Sequence, residues 1–289
     1  MALSVAIVGP GALGRAVGGV LEKGGARVAY VGRGGRPERS RFENENENEN
    51  ERELVLVTVK AYDTRAAIRD AAPWLGRACV VSLQNGLGNV EAIAQVVGAA
   101  RTFAGSTTHA ARRTAGGEVV HVAEGETRIA PLDPAAFERA RELAGRLSEH
   151  GLATSHGEYA QELLWRKLAI SCGINAVTAI EGCPNGRLLE REDLHAEAVA
   201  ATREALEVAA ELGVAIDPPE SADELVSAVC ERTARNRSSM LQDVEAGRRT
   251  EIDEINGAVA RIAREKLGRE APHNEALARR VKERSKTYA

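Results

Sequence analysis

Aromatic residues are scarce in this chain of 289: three Phe, two Trp and four Tyr give a share of 3%, and there are only two Met. Its cores must therefore be filled by Leu, Val, Ile and Ala. Basic residues do not outnumber acidic ones, and a net charge of -4 gives no electrostatic reason to expect nucleic acid or an acidic membrane surface as a partner. Cys79, Cys172, Cys183 and Cys230 include no CxxC pair, and the six histidines form no ligand cluster in sequence, so no metal is expected and a reducing compartment suits the chain. No run approaches the ~18 apolar residues of a membrane span. The N-terminus enters the apolar run Leu3 to Val8 without a basic region or cleavage site, which predicts a cytoplasmic protein.

What is present is ordinary in amount, 44% hydrophobic and 28% charged, and long enough for two domains at roughly 150 residues each. The first begins with Ser4 to Val8, a short buried-strand pattern, followed by Gly9-Pro10-Gly11-Ala12-Leu13-Gly14 and a helical stretch to about Lys23. GxGxxG alone is also a structural turn. After a strand and before a helix, its glycines let a pyrophosphate approach the helix N-terminus. The next strand, Arg27 to Val31, ends at Gly32-Arg33, where an NAD-preferring fold carries Asp or Glu for the ribose 2′-hydroxyl. Arg33 favours a 2′-phosphate instead, with Arg36 as a second candidate.

The run FENENENENE, Phe42 to Glu51, has no apolar periodicity and reads as a loop, so that 36–52 is an abbreviated or disordered part of the cofactor domain. Leu54 to Val59 and Val80 to Leu83 are further buried strands, ending in Lys60 and Asn85; ligands of open α/β sheets sit at such carboxyl ends. Thr102 to Ala111, Glu118 to Val122 and Thr127 to Ala130 read as strands, the last two as a hairpin through Glu124-Gly125. His109 is taken as structural. A helix from Pro134 to about His150 and a strand near Leu152 to Ser155 complete this half.

From there only helical periodicity remains: Glu158 to Ile180, Glu192 to Leu212 with Gly213 as C-cap, Ala222 to Val229, and Glu251 to Leu267. The first of these is apolar around most of its circumference, interrupted by Lys167, Ser171 and Asn175 at i, i+4 and i+8, which stack on one face. A lysine in such a place either snorkels to water or faces a cleft.

The stretches GPGALG, VTVKAYDT, LQNGLG, STTHAARR, WRKLAISCGINAVTAIEGCPNG, NRSSMLQD and RRTEIDEINGAV together resemble the ketopantoate reductase (2-dehydropantoate 2-reductase) family over nearly the whole chain, excepting 36–52. The resemblance implies a soluble NADPH-dependent enzyme that reduces ketopantoate to pantoate in pantothenate and coenzyme A synthesis. It makes Lys167 the general acid and Glu251 the acid that holds substrate and geometry. Asn175, Asn185 and Ser239 become substrate contacts, with Asn236 as a further candidate on the helical face of Ser239 at i+3. Lys60 and Asn85 line the nicotinamide and substrate side, and Gly9, Gly11, Ala12, Leu13, Gly14 and Arg33 hold the cofactor. Ser171 stands where the family usually has asparagine in the substrate pocket, and the Asn-Glu run replaces the outer cofactor segment.

The expected fold is α/β: a Rossmann-like parallel-sheet domain over 1–157, then an all-helical domain over 158–289, with a small 2-keto acid bound between them. Monomer and homodimer are both compatible with the sequence. A reductase of another branched 2-keto acid, or a cofactor-binding protein that has lost turnover, are the alternatives. Retention of Lys167 and Glu251 opposes the second.

Overall fold

The computed structural model describes residues 2–32, 37–38, 53–114, 116–216 and 221–286. By their contacts they fall into two compact units, Met1–Gln84 with Gly88–Leu163, and Asn85–Leu87 with Leu164–Ala289.

In the first unit the parallel neighbours β1 (Ser4–Val8) and β2 (Arg27–Val31) are joined by α1 (Ala12–Lys23). A two-residue strand, β3 (Pro37–Glu38), borders β2 in the antiparallel sense. On the other side of β1 lie β4 (Leu54–Val57), β5 (Cys79–Ser82) and β6 (Thr102–Thr107), all parallel, with α2 (Thr64–Ala71) and α3 (Asn89–Val97) as crossovers. After a separate antiparallel ribbon of β7 (Ala110–Arg113) and β8 (Val119–Ala123), the chain returns as β9 (Thr127–Pro131), antiparallel to β6. Then α4 (Phe137–Glu149) leads to β10 (Thr154–His156), parallel to β9. The sheet order is β10-β9-β6-β5-β4-β1-β2-β3.

The continuous apolar runs arise because the central strands are covered on both faces. Ile7, Leu56 and Val81 pack with Val17 and Leu21 of α1 and with Leu143 and Leu147 of α4. Their alternates Ala6, Val8, Val55, Val57 and Val80 pack with Ile68 of α2 and with Ile93 and Val97 of α3. This is the doubly wound arrangement that the strand and helix pattern predicts.

Three expectations for this unit need correction. Residues 118–130 do not form a hairpin: β8 pairs with β7, whereas β9 joins the main sheet. Thr102 to Ala111 is two strands, because the chain leaves the sheet after Thr107 to enter the ribbon. Part of 36–52 is ordered, since Pro37 and Glu38 pair with Val31 and Tyr30. Proline at such an edge costs no ladder bond that a neighbouring strand requires. The FENENENENE run lies outside the described residues.

The second unit takes its core from α5 (Ala160–Glu181), whose first turn the unit boundary divides. By length and composition alone this helix could cross a membrane, but most of it is buried inside the protein. Short α6 (Arg187–Glu190) precedes α7 (Glu192–Glu211), whose C-cap is Leu212; Gly213, with φ +78°, follows in the left-handed conformation that ends the helix. The start of α8 (Ala222–Arg232) is fixed by a capping box in which Ser221 and Glu224 exchange bonds. Next come α9 (Ser239–Glu245), α10 (Asn256–Leu267) and α11 (Pro272–Lys286). Close packing of α5 on α7 depends on Gly173, where a Cβ would stand 2.3 Å from the Ala198 carbonyl oxygen. The helix expected from Glu251 begins only at Asn256. Residues 251–255 form a turn instead, in which the Glu251 carbonyl accepts from the N–H groups of Glu254 (3.1 Å) and Ile255 (3.0 Å).

Candidate functional site

The first unit presents a glycine turn at the carboxyl end of β1. Gly9 has φ +98°, and a Cβ there would lie 2.5 Å from the Val59 nitrogen; at Gly14 it would meet the Gly9 carbonyl oxygen at 2.5 Å and Thr58 Oγ1 at 2.6 Å. The protein itself forbids a side chain at both. Gly11 is different: its backbone is in an ordinary extended region, and a Cβ would have only the Gly9 oxygen within 4.0 Å. Space is left above the first turn of α1, where Ala12, Leu13 and Gly14 carry N–H groups that an α-helix cannot satisfy internally and where Gly11 supplies no side-chain cap. An anion is the natural partner for such a cradle. Lys60 follows β4 and is half-buried at the entry of a short 3-10 turn. Arg33 and Arg36 lie outside the described residues.

In the second unit α5 carries Lys167, Ser171 and Asn175 at the predicted spacing; Lys167 and Asn175 are half-buried and Ser171 is buried. Removal from water pushes the Lys167 pKa down from 10.5 to about 8, and the negative charge of Glu251 opposes that fall. Glu251 is 6% exposed and sits in a turn pinned by the buried Ile252 and Ile255. Residues 85–87 belong to the same unit, held there by the bond from Leu87 N–H to the Glu254 carbonyl (3.0 Å). Gly86, φ +81°, allows that approach, because a Cβ would stand 2.5 Å from the same oxygen. Asn85 is thus carried to the turn that bears Glu251.

Asn185 is buried; its Nδ2 donates to Thr233 Oγ1 (2.9 Å) and its N–H to the Asn236 carbonyl (2.9 Å), while Oδ1 is buried without a partner among the described residues. Asn236 is not on the helix of Ser239. It lies in the loop before α9, because Ser238 caps that helix by accepting from the Leu241 N–H (3.1 Å). Ser238 also bonds Thr178 Oγ1 of α5 at 2.9 Å, which leaves its neighbour Ser239 exposed. Two features take their roles from the fold and not from spacing: Ser238, which caps α9, and Glu254, whose carboxyl burial holds above the usual range.

A strand, glycine turn and helix opening a parallel sheet, followed along the chain by a helical unit, is the build of a nucleotide-linked oxidoreductase. Comparison with known proteins narrows this. The family model for ketopantoate reductase PanE/ApbA matches residues 5–134, and that for its C-terminal part matches residues 160–285. The 2-dehydropantoate 2-reductase of Halobacterium salinarum is 35% identical over 283 residues, covering 91% of this chain and 93% of its own. The crystal structure of a PanE/ApbA family ketopantoate reductase from Ralstonia eutropha superposes with a TM-score of 0.83 at 28% identity over 99% of each chain. D-mandelate dehydrogenase, solved with NADH and anilino(oxo)acetate, reaches 0.87 at 23% identity, also over 99% of each, and so shares the fold. The chain belongs to the ketopantoate reductase family.

Proposed function

We infer that this protein reduces 2-dehydropantoate to pantoate with a nicotinamide cofactor, and that the cofactor is NADPH. Kinship with a 2-dehydropantoate 2-reductase at 35% identity over nearly all of both chains supports the reaction. The observation that carries the mechanism is the half-buried lysine on α5 whose pKa falls to about 8 beside a carboxylate. The glycine cradle fits a dinucleotide, since Gly11 leaves open the space that a Cβ would fill. Gly9, Gly11, Ala12, Leu13 and Gly14 would hold the pyrophosphate, Lys60 and Asn85 the nicotinamide side, and Arg33 the 2′-phosphate. When bound, the cofactor supplies the hydride that goes to C2 of the keto acid.

The protein's part is to receive the charge that develops on the keto oxygen. Lys167 donates a proton to that oxygen and regains one from solvent; an acid with a pKa near the working pH does this best. Glu251 keeps enough negative potential beside the lysine to hold it protonated near neutrality. Asn175, Asn185, Asn236 and Ser239, with Ser171, are assigned to the polar groups of the substrate. The orphaned Oδ1 of Asn185 supports such an acceptor role. Ser171, shorter than the asparagine usual in the family, favours a roomier pocket and with it a second reading, a related branched 2-keto acid.

Oxidation of NADPH with ketopantoate and a panel of 2-keto acids tests the proposal. Ketopantoate should have the highest kcat/KM; preference for another acid would establish the second reading, and no turnover would refute both. Lys167→Ala should lower kcat by ~10²–10⁴-fold while leaving NADPH affinity nearly unchanged. A variant within a few-fold of wild type would remove Lys167 from the mechanism.

A further inference from the structure

Asn256 opens α10 and is 0% exposed. Its Nδ2 donates to the Cys172 carbonyl on α5 (2.9 Å) and to Oδ1 of Asn274 on α11 (3.0 Å). Asn274, also 0% exposed, donates from its side chain to the Ala201 carbonyl (3.0 Å) and to Glu204 Oε2 (2.8 Å), both on α7. Glu204 closes the chain by accepting the N–H groups of His273 (3.2 Å) and Asn274 (2.8 Å) at the start of α11. A relay of amides and one buried carboxylate thus fastens α5, α7, α10 and α11. Such bonds are directional, and an apolar contact of equal size would permit sliding that they do not. Asn256 Oδ1 is buried without a partner among the described residues, which core packing alone would not favour.

The two ends of the Asn256–Cys172 bond are each five residues from a group assigned to the reaction. Glu251 precedes Asn256 through the hydrogen-bonded turn pinned by Ile252 and Ile255, and Lys167 precedes Cys172 within one continuous helix. We propose that Asn256 is a positioning residue whose bond to the Cys172 carbonyl sets the placement of Glu251 against the Lys167 ammonium. The proposal rests on the roles given above to Lys167 and Glu251. Loss of the bond lets the turn drift from α5 and weakens the attraction that keeps the lysine charged.

The test uses the full chain and compares Asn256→Ala with Asn274→Ala, which breaks the same relay but spares the Cys172 bond. Both should lower Tm. The titration midpoint of Lys167, followed by NMR of the labelled side chain with Lys167→Ala to identify the signal, should fall by about half a pH unit or more in Asn256→Ala only. The alkaline limb of kcat/KM should move with it, while the Kd for NADPH stays within about twofold of wild type. If Asn256→Ala does not fold, Asn256→Ser, which keeps one donor, should give an intermediate shift. An unmoved lysine midpoint with a lowered Tm, or equal shifts in both variants, would overturn the proposal and leave Asn256 a core residue. A shifted midpoint in an enzyme whose Lys167→Ala variant still turns over would uphold the positioning role and reject the catalytic one.

Discussion

Glu251→Gln is the substitution that separates the two forces on Lys167. Burial lowers the lysine from 10.5 to about 8 even with the carboxylate present, so the ammonium is disfavoured by roughly 3 kcal/mol at ~1.4 kcal/mol per pKa unit. A nearby opposite charge contributes roughly 1–3 pKa units, and the amide keeps the shape of the side chain without that contribution. The sign follows directly. The midpoint should fall from about 8 to about 7 or lower, and the protonated fraction at pH 7.5 should drop by about threefold for one unit and about 25-fold for two. The profile of kcat/KM against pH reports the free enzyme and is the right assay. The variant should approach wild type below about pH 6 and diverge above it. A loss of equal size at every pH would mean that Glu251 holds substrate and does not keep the lysine charged, and a midpoint that rises would refute the electrostatic reading altogether.

Gly11→Ala should leave Tm nearly unchanged and weaken binding of either cofactor, because the Cβ meets empty space in the protein; Gly14→Ala should lower both, since its Cβ collides with the Gly9 oxygen and Thr58. Unchanged cofactor affinity in Gly11→Ala, measured by titration, would dismiss the cradle. Arg33→Ala should raise the Kd for NADPH by about one to two decades, the value of ~1.5–3 kcal/mol for a charge-assisted bond, and spare NADH; equal losses would refute the phosphate assignment. Burial and the adjacent His121, 3.0 Å away in the ribbon, hold the His109 pKa below the ordinary histidine range against the opposing charge of Glu124. The unfolded chain then binds the extra proton first, so stability present above about pH 6.5 is lost as pH falls through that value and levels off below the folded pKa. His109→Gln should flatten this part of a Tm-against-pH curve, and an equally steep curve would show that His109 does not cause it.

The parts of the fold legible in the sequence are those whose cause is local. The strands expected over Ser4 to Val8 and Leu54 to Val59 are legible because both faces of Val5 to Val8 and of Leu54 to Val57 are covered, which makes each of those residues apolar. The start of α8 at Ala222 is legible from helical periodicity, and the capping box of Ser221 and Glu224 is what fixes it in the structure. The ribbon was not legible, because β7 and β8 pair across a short loop only after the chain has left the main sheet, and alternation on β8 gives no hint of which neighbour it takes. The helix α11 is hidden in the sequence for another reason. Its exposed face is so rich in charge that Leu277, Ala278 and Val281 give a weak stripe, and what anchors its start is Glu204, a residue some 70 positions away.

The candidate site divides along the same line. Lys167, Ser171 and Asn175 could be placed together from spacing, since one helix sets their directions. Asn236 and Ser239 could not, although they too are three apart, because i+3 implies a shared face only if both residues are helical and Ser238 begins the helix between them. The glycine motif shows what spacing alone conceals. Its three glycines look equivalent in the sequence, yet Gly9 and Gly14 are required by contacts inside the protein and Gly11 by none. A glycine that no contact inside the protein requires, at the start of a helix whose first N–H groups have no partner within the helix itself, supports the negative ligand proposed above.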